Sequence, residues 1–373
     1  MAFDATDRRF MALALSLGRR GLGQTWPNPS VGAVIVNKGR IVGRGWTQPG
    51  GRPHAETLAL AEAGAAAKDA SVYVTLEPCA HHGQTPPCAD KLIAAGVSRV
   101  VSTIDDPDPR VAGQGHARLK AAGIRVETGC LDDQAKRDHA GFLLRILSAR
   151  PFVSLKLATS FDGRISSQSG ESQWITGPEA RRIGHLMRSC HDAVMIGCGT
   201  AKADDPMLTV RGLGIERQPV RLVVDSKLSL SPESRLAKTA GEIPLWICHG
   251  ETATVNRRDR LSACGARLIE CASSRSGRID MIDALAQLAA IGLNRVYCEG
   301  GGEIAASLLA AGLVDELIGF TAGLALGADG IAAIGEMPQS RLADKQRFIL
   351  RECQTVGPDI LHIWSRQPAY HRS

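Results

Sequence analysis

The chain has 373 residues, of which 44% are hydrophobic and 22% charged, so it has the size and composition of a globular protein with about two domains. Its net charge of +6 is spread along the chain and only 4% of the residues are aromatic, which argues against a dedicated nucleic-acid-binding surface. The ten cysteines are scattered, which argues against a disulfide-stapled secreted domain and favours reduced thiols in the cytoplasm.

The N-terminal segment predicts an amphipathic helix rather than a signal peptide. Phe10, Leu13 and Leu17 recur at helical spacing, and several charged residues precede only a short apolar run. The most apolar later stretch, residues 304–328, is interrupted by two adjacent acidic residues. We therefore expect no transmembrane helix.

The first half of the chain alternates between strand and helix patterns, which predicts an α/β sheet covered by helices. Strands are predicted at 31–36, 40–46, 71–76, 99–104 and 124–129, and helices at 54–68, 89–95, 115–122 and 132–147. The first two strands read as a hairpin around Lys38-Gly39. Pro151 follows the last of these helices and marks a boundary, so we expect one domain over 1–149 and a second over 150–373.

The second half shows another alternation of the same kind. Strands are predicted at 152–158, 193–197, 220–225, 244–248, 295–298, 316–321 and 347–365, and helices at 178–190, 281–291 and 303–311. The last strand segment is long enough to be a hairpin. The whole chain is therefore expected to be of the α/β class.

One His and two Cys of the first half form a zinc-binding pattern. His54 opens a predicted helix, Cys79 follows a strand, and Cys88 opens the next helix, where the positive helix terminus favours a thiolate. Three protein ligands leave one zinc position for water, and Glu56 is placed to move protons beside it. H-x-E followed by P-C is the pattern of zinc-dependent hydrolytic deaminases, although here eight residues separate the two cysteines instead of two.

A structural zinc site is the alternative reading of these residues. His81 or His82 would then supply the fourth ligand, and Glu56 would be an ordinary carboxylate at a helix N-terminus.

Two features of the second half suggest binding of a phosphorylated ligand. Gly300-Gly301-Gly302 lies between a strand and a helix, where backbone N–H groups can bind an anion, although a tight turn would use the same glycines. Lys156 lies on a strand and could bind phosphate or polarise a sugar carbonyl, or it could simply face solvent. Ala158 points to the same side of that strand.

Long motifs across the whole chain resemble the bifunctional deaminase–reductase family of riboflavin biosynthesis. The motifs of the first half are "TWPNPSVGAVIV", "PHAET", "VTLEPCAHHGQTPPC" and "DPDPRVAGQG", and those of the second half are "KLATSFDGRI", "GESQWITG", "ADDPMLTVR" and "CEGGGEIAASLL". The long segment between the two cysteines belongs to the family's own pattern, so the resemblance implies a substrate-specific loop within a single zinc site.

The resemblance implies a cytidine-deaminase-like α/β/α domain followed by a dihydrofolate-reductase-like α/β domain. The first would deaminate 2,5-diamino-6-(5-phosphoribosylamino)pyrimidin-4(3H)-one with Zn²⁺. The second would reduce the ribosyl group to ribityl with NADPH, giving 5-amino-6-(5-phosphoribitylamino)uracil. It further implies a cytoplasmic homodimer or homotetramer that binds neither nucleic acid nor membrane.

The resemblance also assigns roles to residues of the deaminase half. His54, Cys79 and Cys88 match the zinc ligands, and Glu56 matches the residue that transfers protons. Asn28 matches a contact to the pyrimidine, although a turn would also use an Asn there. The chain departs from the family pattern at Gln84 and Asp108, which affects the expected phosphate or ribose contacts.

In the reductase half, Lys156 matches a residue at the reaction centre. Substrate contacts are implied for Ser172, Arg188, Leu208, Arg211 and Glu299. Cofactor contacts are implied for Ala158, Trp174, Thr200, Asp204 and Ser226 and for the run Gly301, Gly302, Glu303, Ile304, Ala305, Ala306 and Ser307.

Two other functions would fit parts of the sequence. One is a nucleic-acid base deaminase with an unrelated appended domain, which would need a basic, aromatic groove. The other is a nucleotide-binding sensor in which the zinc is structural. Replacing Glu56 by Gln distinguishes catalysis from a structural role, since only a catalytic Glu56 would be needed for deamination while zinc is retained.

Overall fold

The computed structural model describes residues 3–80, 86–108, 112–274, 276–338, 341–342 and 345–366. The chain divides into two compact units, Met1–Arg150 and Pro151–Ser373. His81, His82 and Gln84, for which sequence patterns suggested roles, lie outside the described residues.

The first unit is a five-stranded sheet between two layers of helices. Its elements are α1 (Ala5–Arg19), β1 (Gly32–Asn37), β2 (Arg40–Trp46), α2 (Ala55–Ala63), β3 (Ser71–Val74), α3 (Cys88–Ala94), β4 (Arg99–Ser102), α4 (Gln114–Ala121), β5 (Arg125–Glu127), α5 (Asp132–Asp138) and α6 (Ala140–Ser148). The strand order is β2-β1-β3-β4-β5, with β3, β4 and β5 parallel and the other neighbours antiparallel.

Alternate residues of β1 enter the two core layers of this unit. Ala33 and Ile35 pack with residues of α2, α3 and α4, whereas Val34 and Val36 pack with the apolar face of α1. β2 carries Gly43 and Gly45, where a Cβ atom would lie 2.1 and 2.2 Å from backbone oxygens of α2. The absence of side chains there lets α2 lie directly on the sheet, which fixes the helix that begins after His54.

Two predicted helices of this unit are shorter in the structure than the sequence pattern indicated. The helix expected over 54–68 ends at Ala63, and a 3₁₀ turn over Gly64–Ala67 follows. The helix expected over 132–147 is divided at His139, whose imidazole Nε2 lies 2.8 Å from the Thr75 carbonyl oxygen. A long-range hydrogen bond thus overrides local helix preference at that point.

The second unit contains a nine-stranded sheet and a separate two-stranded sheet, which together comprise eleven strands. Its strands are β6 (Phe152–Ser160), β7 (Arg164–Ser166), β8 (Ala193–Gly197), β9 (Val220–Val224), β10 (Leu245–His249), β11 (Arg267–Glu270), β12 (Arg295–Cys298), β13 (Glu316–Ala322), β14 (Ile331–Ala332), β15 (Phe348–Val356) and β16 (Asp359–Arg366). Its helices are α7 (Pro178–Ser189), α8 (Cys198–Asp204), α9 (Arg235–Lys238), α10 (Val255–Ala263), α11 (Met281–Ile291) and α12 (Gly302–Ala310).

The order of the large sheet is β11-β10-β9-β8-β12-β6-β13-β16-β15. The first seven strands in this order, from β11 through β13, run parallel to one another. The antiparallel hairpin β15–β16 completes the edge next to β13. That hairpin accounts for the long strand segment expected over 347–365. The pattern missed α8, α9, α10 and the short strands β7, β11 and β14, because these elements are brief or polar and carry little periodic signal.

Among the described residues, no helix combines the length and the hydropathy that crossing a membrane requires.

Candidate functional site

Three donor atoms converge at one end of the first sheet. His54 precedes the first residue of α2, Cys79 lies in the loop after β3, and Cys88 is the first residue of α3. The Nδ1 atom of His54 lies 3.7 Å from the Cys79 sulfur and 3.3 Å from the Cys88 sulfur. The Cys88 backbone N–H also donates to the Cys79 sulfur, at 3.3 Å.

The electrostatics of the two thiols favour a thiolate at Cys79. The hydrogen bond from Cys88 is the main cause that lowers the pKa of Cys79 to about 4, although burial opposes it, and His54 adds a second hydrogen bond. The same contact raises the pKa of Cys88, and burial adds to that rise. A thiolate is the form of cysteine that binds a metal ion.

The geometry of these residues fits a zinc ion. The three donor atoms lie within 4.8 Å of one another. Tetrahedral zinc, with bonds of about 2.0–2.3 Å to nitrogen and sulfur, holds its ligand atoms about 3.5 Å apart. One imidazole and two thiolates leave a position for water, as catalytic zinc sites do.

Glu56 is in the first turn of α2 and only 4% exposed. Burial is the main cause that raises the pKa of its carboxyl group, while the charge of His54 opposes the rise and a hydrogen bond from Cys88 lowers it. Glu56 therefore lies beside the cluster of His54, Cys79 and Cys88.

The structure also forms a second cluster of metal-ligand residue types, Glu77, Asp105 and His116. Glu77 is fully engaged with backbone N–H groups, and His116 Nδ1 lies 3.1 Å from Asp105 while its Nε2 lies 2.9 Å from the Ser102 hydroxyl. This cluster is a hydrogen-bond network between loops. Glu77 was not predicted as a functional residue from the sequence. Its position two residues before Cys79 was the available signal.

Asn28 lies in the loop before β1, and its side chain packs directly on Gly51, three residues before His54. A Cβ atom at Gly51 would lie 1.8 Å from the Asn28 amide nitrogen. Asp108 is buried in the loop after β4, where its backbone N–H donates to Asp106 at 2.9 Å. Burial is the main cause that raises the pKa of Asp106 to about 6.

In the second unit, three charged side chains from different elements meet. Arg188 of α7 makes a bidentate contact with Glu299, which follows β12, and it also donates to the Thr209 carbonyl at 2.8 Å. Burial would raise the pKa of Glu299, but Arg188 and Lys156 lower it to about 2. Burial is the main cause that lowers the pKa of Lys156. Glu299 opposes this shift and Arg188 adds to it, so a desolvated lysine lies beside the Arg188–Glu299 ion pair.

Leu208 and Arg211 belong to the segment that carries Thr209. Leu208 is buried and has a φ of 53°, a left-handed backbone conformation that is rare for leucine. Arg211 is exposed, and its charge contributes to lowering the pKa of His185, after burial and Arg188. The structure thus gathers Lys156, Arg188, Glu299 and the 208–211 segment on one side of the unit.

The expected cofactor residues Thr200, Gly301 and Gly302 also meet. The Gly301 backbone N–H donates to the Thr200 hydroxyl at 3.1 Å, which joins α8 to the start of α12. At Gly302 a Cβ atom would lie 3.0 Å from the Ala332 oxygen and from the Gly335 nitrogen. These elements follow the carboxyl ends of neighbouring strands β8 and β12, where open α/β sheets bind ligands.

The remaining expected cofactor residues are dispersed. Ile304, Ala305 and Ala306 are buried in the fold. Three others are exposed: Trp174, whose ring faces Arg181 at 4.3 Å; Asp204; and Glu303, which pairs with Arg278. Ser307 is half-buried and donates to the Glu303 carbonyl. Ala158, Ser172 and Ser226 are half-buried, on β6, in the loop before α7 and after β9 respectively.

Comparison with known proteins identifies both halves. The family described as "Cytidine and deoxycytidylate deaminase zinc-binding region" matches residues 4–104, and the "RibD C-terminal domain" matches residues 151–362. The chain is 43% identical to riboflavin biosynthesis protein RibD of Escherichia coli, over 96% of this chain and 99% of the relative. It is 40% identical to RibD of Bacillus amyloliquefaciens, with 95% of both chains covered.

Solved structures agree with these matches. Acinetobacter baumannii RibD has a TM-score of 0.87 at 35% identity, with 97% of this chain and 99% of that chain covered. A Thermotoga maritima diaminohydroxyphosphoribosylaminopyrimidine deaminase/5-amino-6-(5-phosphoribosylamino)uracil reductase has a TM-score of 0.84 at 31% identity, with the same coverage.

The fold and the site therefore define a zinc-dependent deaminase joined to an NADPH-dependent reductase. The chain belongs to the RibD family of riboflavin biosynthesis proteins, and it is a bifunctional enzyme of that pathway. The expected family, fold class, enzyme type and cofactors are confirmed. An unrelated appended domain is excluded, because the second half matches the family's own C-terminal domain.

Proposed function

We propose that the protein deaminates 2,5-diamino-6-(5-phosphoribosylamino)pyrimidin-4(3H)-one and then reduces the ribosyl group of the product to ribityl. The observation that carries this proposal is the convergence of His54, Cys79 and Cys88 beside the buried Glu56, in a chain whose second half matches the reductase domain. The name of the Thermotoga relative supports both the substrate and the order of the two reactions.

In the deaminase half, His54, Cys79 and Cys88 hold the zinc ion. Zinc, when bound, supplies an activated water for attack on the amino-bearing ring carbon. Glu56 would accept one proton from the attacking water and deliver it to the ring nitrogen. It would then take the proton of the added hydroxyl group and deliver it to the amino group, which leaves as ammonia. Burial suits this task, because the raised pKa of its carboxyl group lets it hold a proton between the two transfers. Asn28 binds the pyrimidine.

In the reductase half, NADPH supplies the hydride for the sugar carbon. Lys156 is the group beside the reaction centre, and Glu299 and Arg188 orient it and the substrate. Ser172, Leu208 and Arg211 complete the proposed substrate contacts, with the Arg211 guanidinium available to phosphate.

The proposed cofactor site combines the N-terminus of α12 with α8. Thr200 and Gly301, which are hydrogen bonded to each other, would face the cofactor phosphates. The set comprises Ala158, Trp174, Thr200, Asp204, Ser226, Gly301, Gly302, Glu303, Ile304, Ala305, Ala306 and Ser307.

Residues 1–149 would carry the deaminase and residues 150–373 the reductase. We further propose a cytoplasmic homodimer or homotetramer that does not bind nucleic acid. The edge strand β15 supports self-association, because its side chains are largely exposed and include Ile349 and Leu350.

A split assay on the purified protein tests the proposal. The diaminopyrimidine ribotide is offered with and without NADPH, and ammonia and NADPH are followed separately. Ammonia release without NADPH, with NADPH oxidation only after deamination, is the expected result. Ammonia without NADPH oxidation would contradict the reductase assignment, and no ammonia from zinc-loaded protein would contradict the substrate.

A further inference from the structure

Glu77 is a buried carboxylate that accepts four hydrogen bonds from main-chain N–H groups of the described residues. Its side chain is 0% exposed, and the His116 Nδ1 atom lies 3.9 Å from one of its oxygens. One carboxylate oxygen accepts N–H groups of Asp106 and Gly113 at 3.1 and 2.9 Å. The other accepts those of Gly115 and His116 at 2.9 and 3.1 Å.

These contacts exclude a direct chemical role for Glu77. A carboxylate oxygen has two lone pairs, and both oxygens of Glu77 already accept two N–H groups each. No lone pair remains for a second metal ion or for a substrate proton. The function of Glu77 must therefore act through the segments that it joins.

Those segments approach the zinc site from two directions. Gly113, Gly115 and His116 belong to the N-terminus of α4, whereas Asp106 lies in the loop after β4. The Glu77 backbone is itself fixed, because its N–H donates to the Ile104 carbonyl at 3.1 Å. The Glu77 side chain thus connects the segments that follow β3 and β4 to the start of α4.

A close backbone contact strengthens this connection. A Cβ atom at Gly115 would lie 1.9 Å from the Pro78 carbonyl oxygen, so only glycine allows α4 to approach the residue before Cys79. The Cys79 carbonyl in turn accepts the N–H of Ala89 in α3, at 3.2 Å. The metal-binding loop is therefore clamped on both sides.

We propose that Glu77 is a positioning residue for deamination: it sets the place of Cys79 and of the 105–108 loop relative to each other. The inference rests on the deaminase function of this half. Groups that orient metal ligands from behind affect metal affinity or activity by about 10- to 100-fold. Glutamine has nearly the same size as glutamate, but its side-chain NH₂ group would face two backbone N–H donors and cannot accept hydrogen bonds from them.

The test compares Glu77→Gln with Asp7→Asn as a matched control. Asp7 is also a buried carboxylate of the first unit, but it pairs with Arg99 and lies on α1, in the other core layer. Zinc release to a chromogenic chelator and deaminase kcat and KM are measured at 25 °C. NADPH oxidation with the deaminated substrate serves as an internal control in every variant.

We expect Glu77→Gln to release zinc at least about tenfold faster and to lose about 10- to 100-fold in deaminase kcat/KM, with the reductase unchanged. Asp7→Asn should lower Tm without either effect. Gly115→Ala probes the same clamp without a change of charge and should also speed zinc release; it decides the matter if Glu77→Gln does not fold.

Normal zinc release in both Glu77→Gln and Gly115→Ala would overturn the inference, as would equal effects in Asp7→Asn. Absence of ammonia release in the unmodified enzyme would instead refute the proposed substrate, and the zinc-release comparison would still decide the role of Glu77.

Discussion

At the scale of single residues, the charged partners of a buried carboxyl group decide its chemistry. Glu56 and Glu299 are both largely shielded from solvent, yet burial raises the pKa of Glu56 whereas Arg188 brings that of Glu299 down to about 2. The first group can hold a proton and the second stays ionised. Their partners rather than their residue type separate a proton carrier from a fixed charge.

Replacing Glu56 by Gln should lower deaminase kcat by about 10²–10⁴-fold, the usual contribution of a general acid–base group. Zinc content and NADPH oxidation with the deaminated substrate should stay unchanged, since neither depends on that proton. Ammonia release, metal analysis and the reductase assay measure these quantities. Loss of zinc together with activity would indicate a structural role instead.

His191 should make the stability of the reductase unit sensitive to acid. It is 5% exposed, and burial, with the charge of Arg295, lowers its pKa to about 3, although the Met187 carbonyl and Glu299 oppose this. Below a pH of about 6.5, His191 binds a proton in the unfolded chain but stays neutral in the folded one. The contribution of His191 to the free energy of unfolding is therefore complete above that pH and falls by about 1.4 kcal/mol per pH unit toward pH 3.

The measurement is urea unfolding of the enzyme and of His191→Asn at pH 7, 6 and 5. Asp192 titrates in the opposite direction, because burial raises its pKa to about 6, so only the difference between the two proteins isolates His191. The advantage of His191 over Asn should shrink as the pH falls. A difference that is constant with pH would refute this prediction.

At the scale of elements, both proposed sites lie where strands end and helices begin. The proposed zinc ligands His54 and Cys88 lie at the starts of α2 and α3, and Gly301 precedes α12. Such positions expose backbone N–H groups and carry partial positive charge, which suits thiolates and phosphates. Glycines make the close approach possible, at Gly43 and Gly45 for α2 and at Gly302 for α12.

Replacing Gly302 by Ala should raise the KM for NADPH about tenfold, because the added methyl group would press on the Ala332 and Gly335 backbones and displace the start of α12. Deaminase kcat and KM should not change. Gly184→Ala in α7 is the matched control, since a Cβ atom there has open space. An unchanged KM in Gly302→Ala would place the cofactor elsewhere.

At the scale of the whole molecule, the chain consists of two compact units with separate cores. The proposed zinc ligands all belong to the first unit, and the Lys156, Arg188 and Glu299 cluster belongs to the second. The two reactions should therefore depend on different cofactors and fail separately.

Removing zinc with a strong chelator should abolish ammonia release and leave NADPH oxidation with the deaminated substrate at its original rate. Adding Zn²⁺ back should restore ammonia release. A parallel loss of both activities on chelation would show that the reductase half needs the metal, contrary to the proposed division.

The sequence by itself was sufficient for the family and the α/β class of both halves, because these depend on long motifs and on hydrophobic periodicity. It also singled out His54, Cys79 and Cys88, which the structure brings together and which stay the proposed zinc ligands. It missed α8, α9 and α10, which are short or polar, and it extended the helix over 132–147 past His139. Periodicity carries no information about the hydrogen bond from His139 to the Thr75 carbonyl, at the residue where that helix is divided.

Only the tertiary structure decided which residues act on one another. Glu77 and Gly115 are 38 positions apart, and Arg188 and Glu299 are 111 apart, so no local pattern could pair them. The ends of parallel strands bring such residues together, and burial then fixes their charge state. Residue types and spacing thus determined which groups the protein has, whereas strand order and burial determined how they meet, because desolvation and hydrogen bonding depend on neighbours that are remote in the chain.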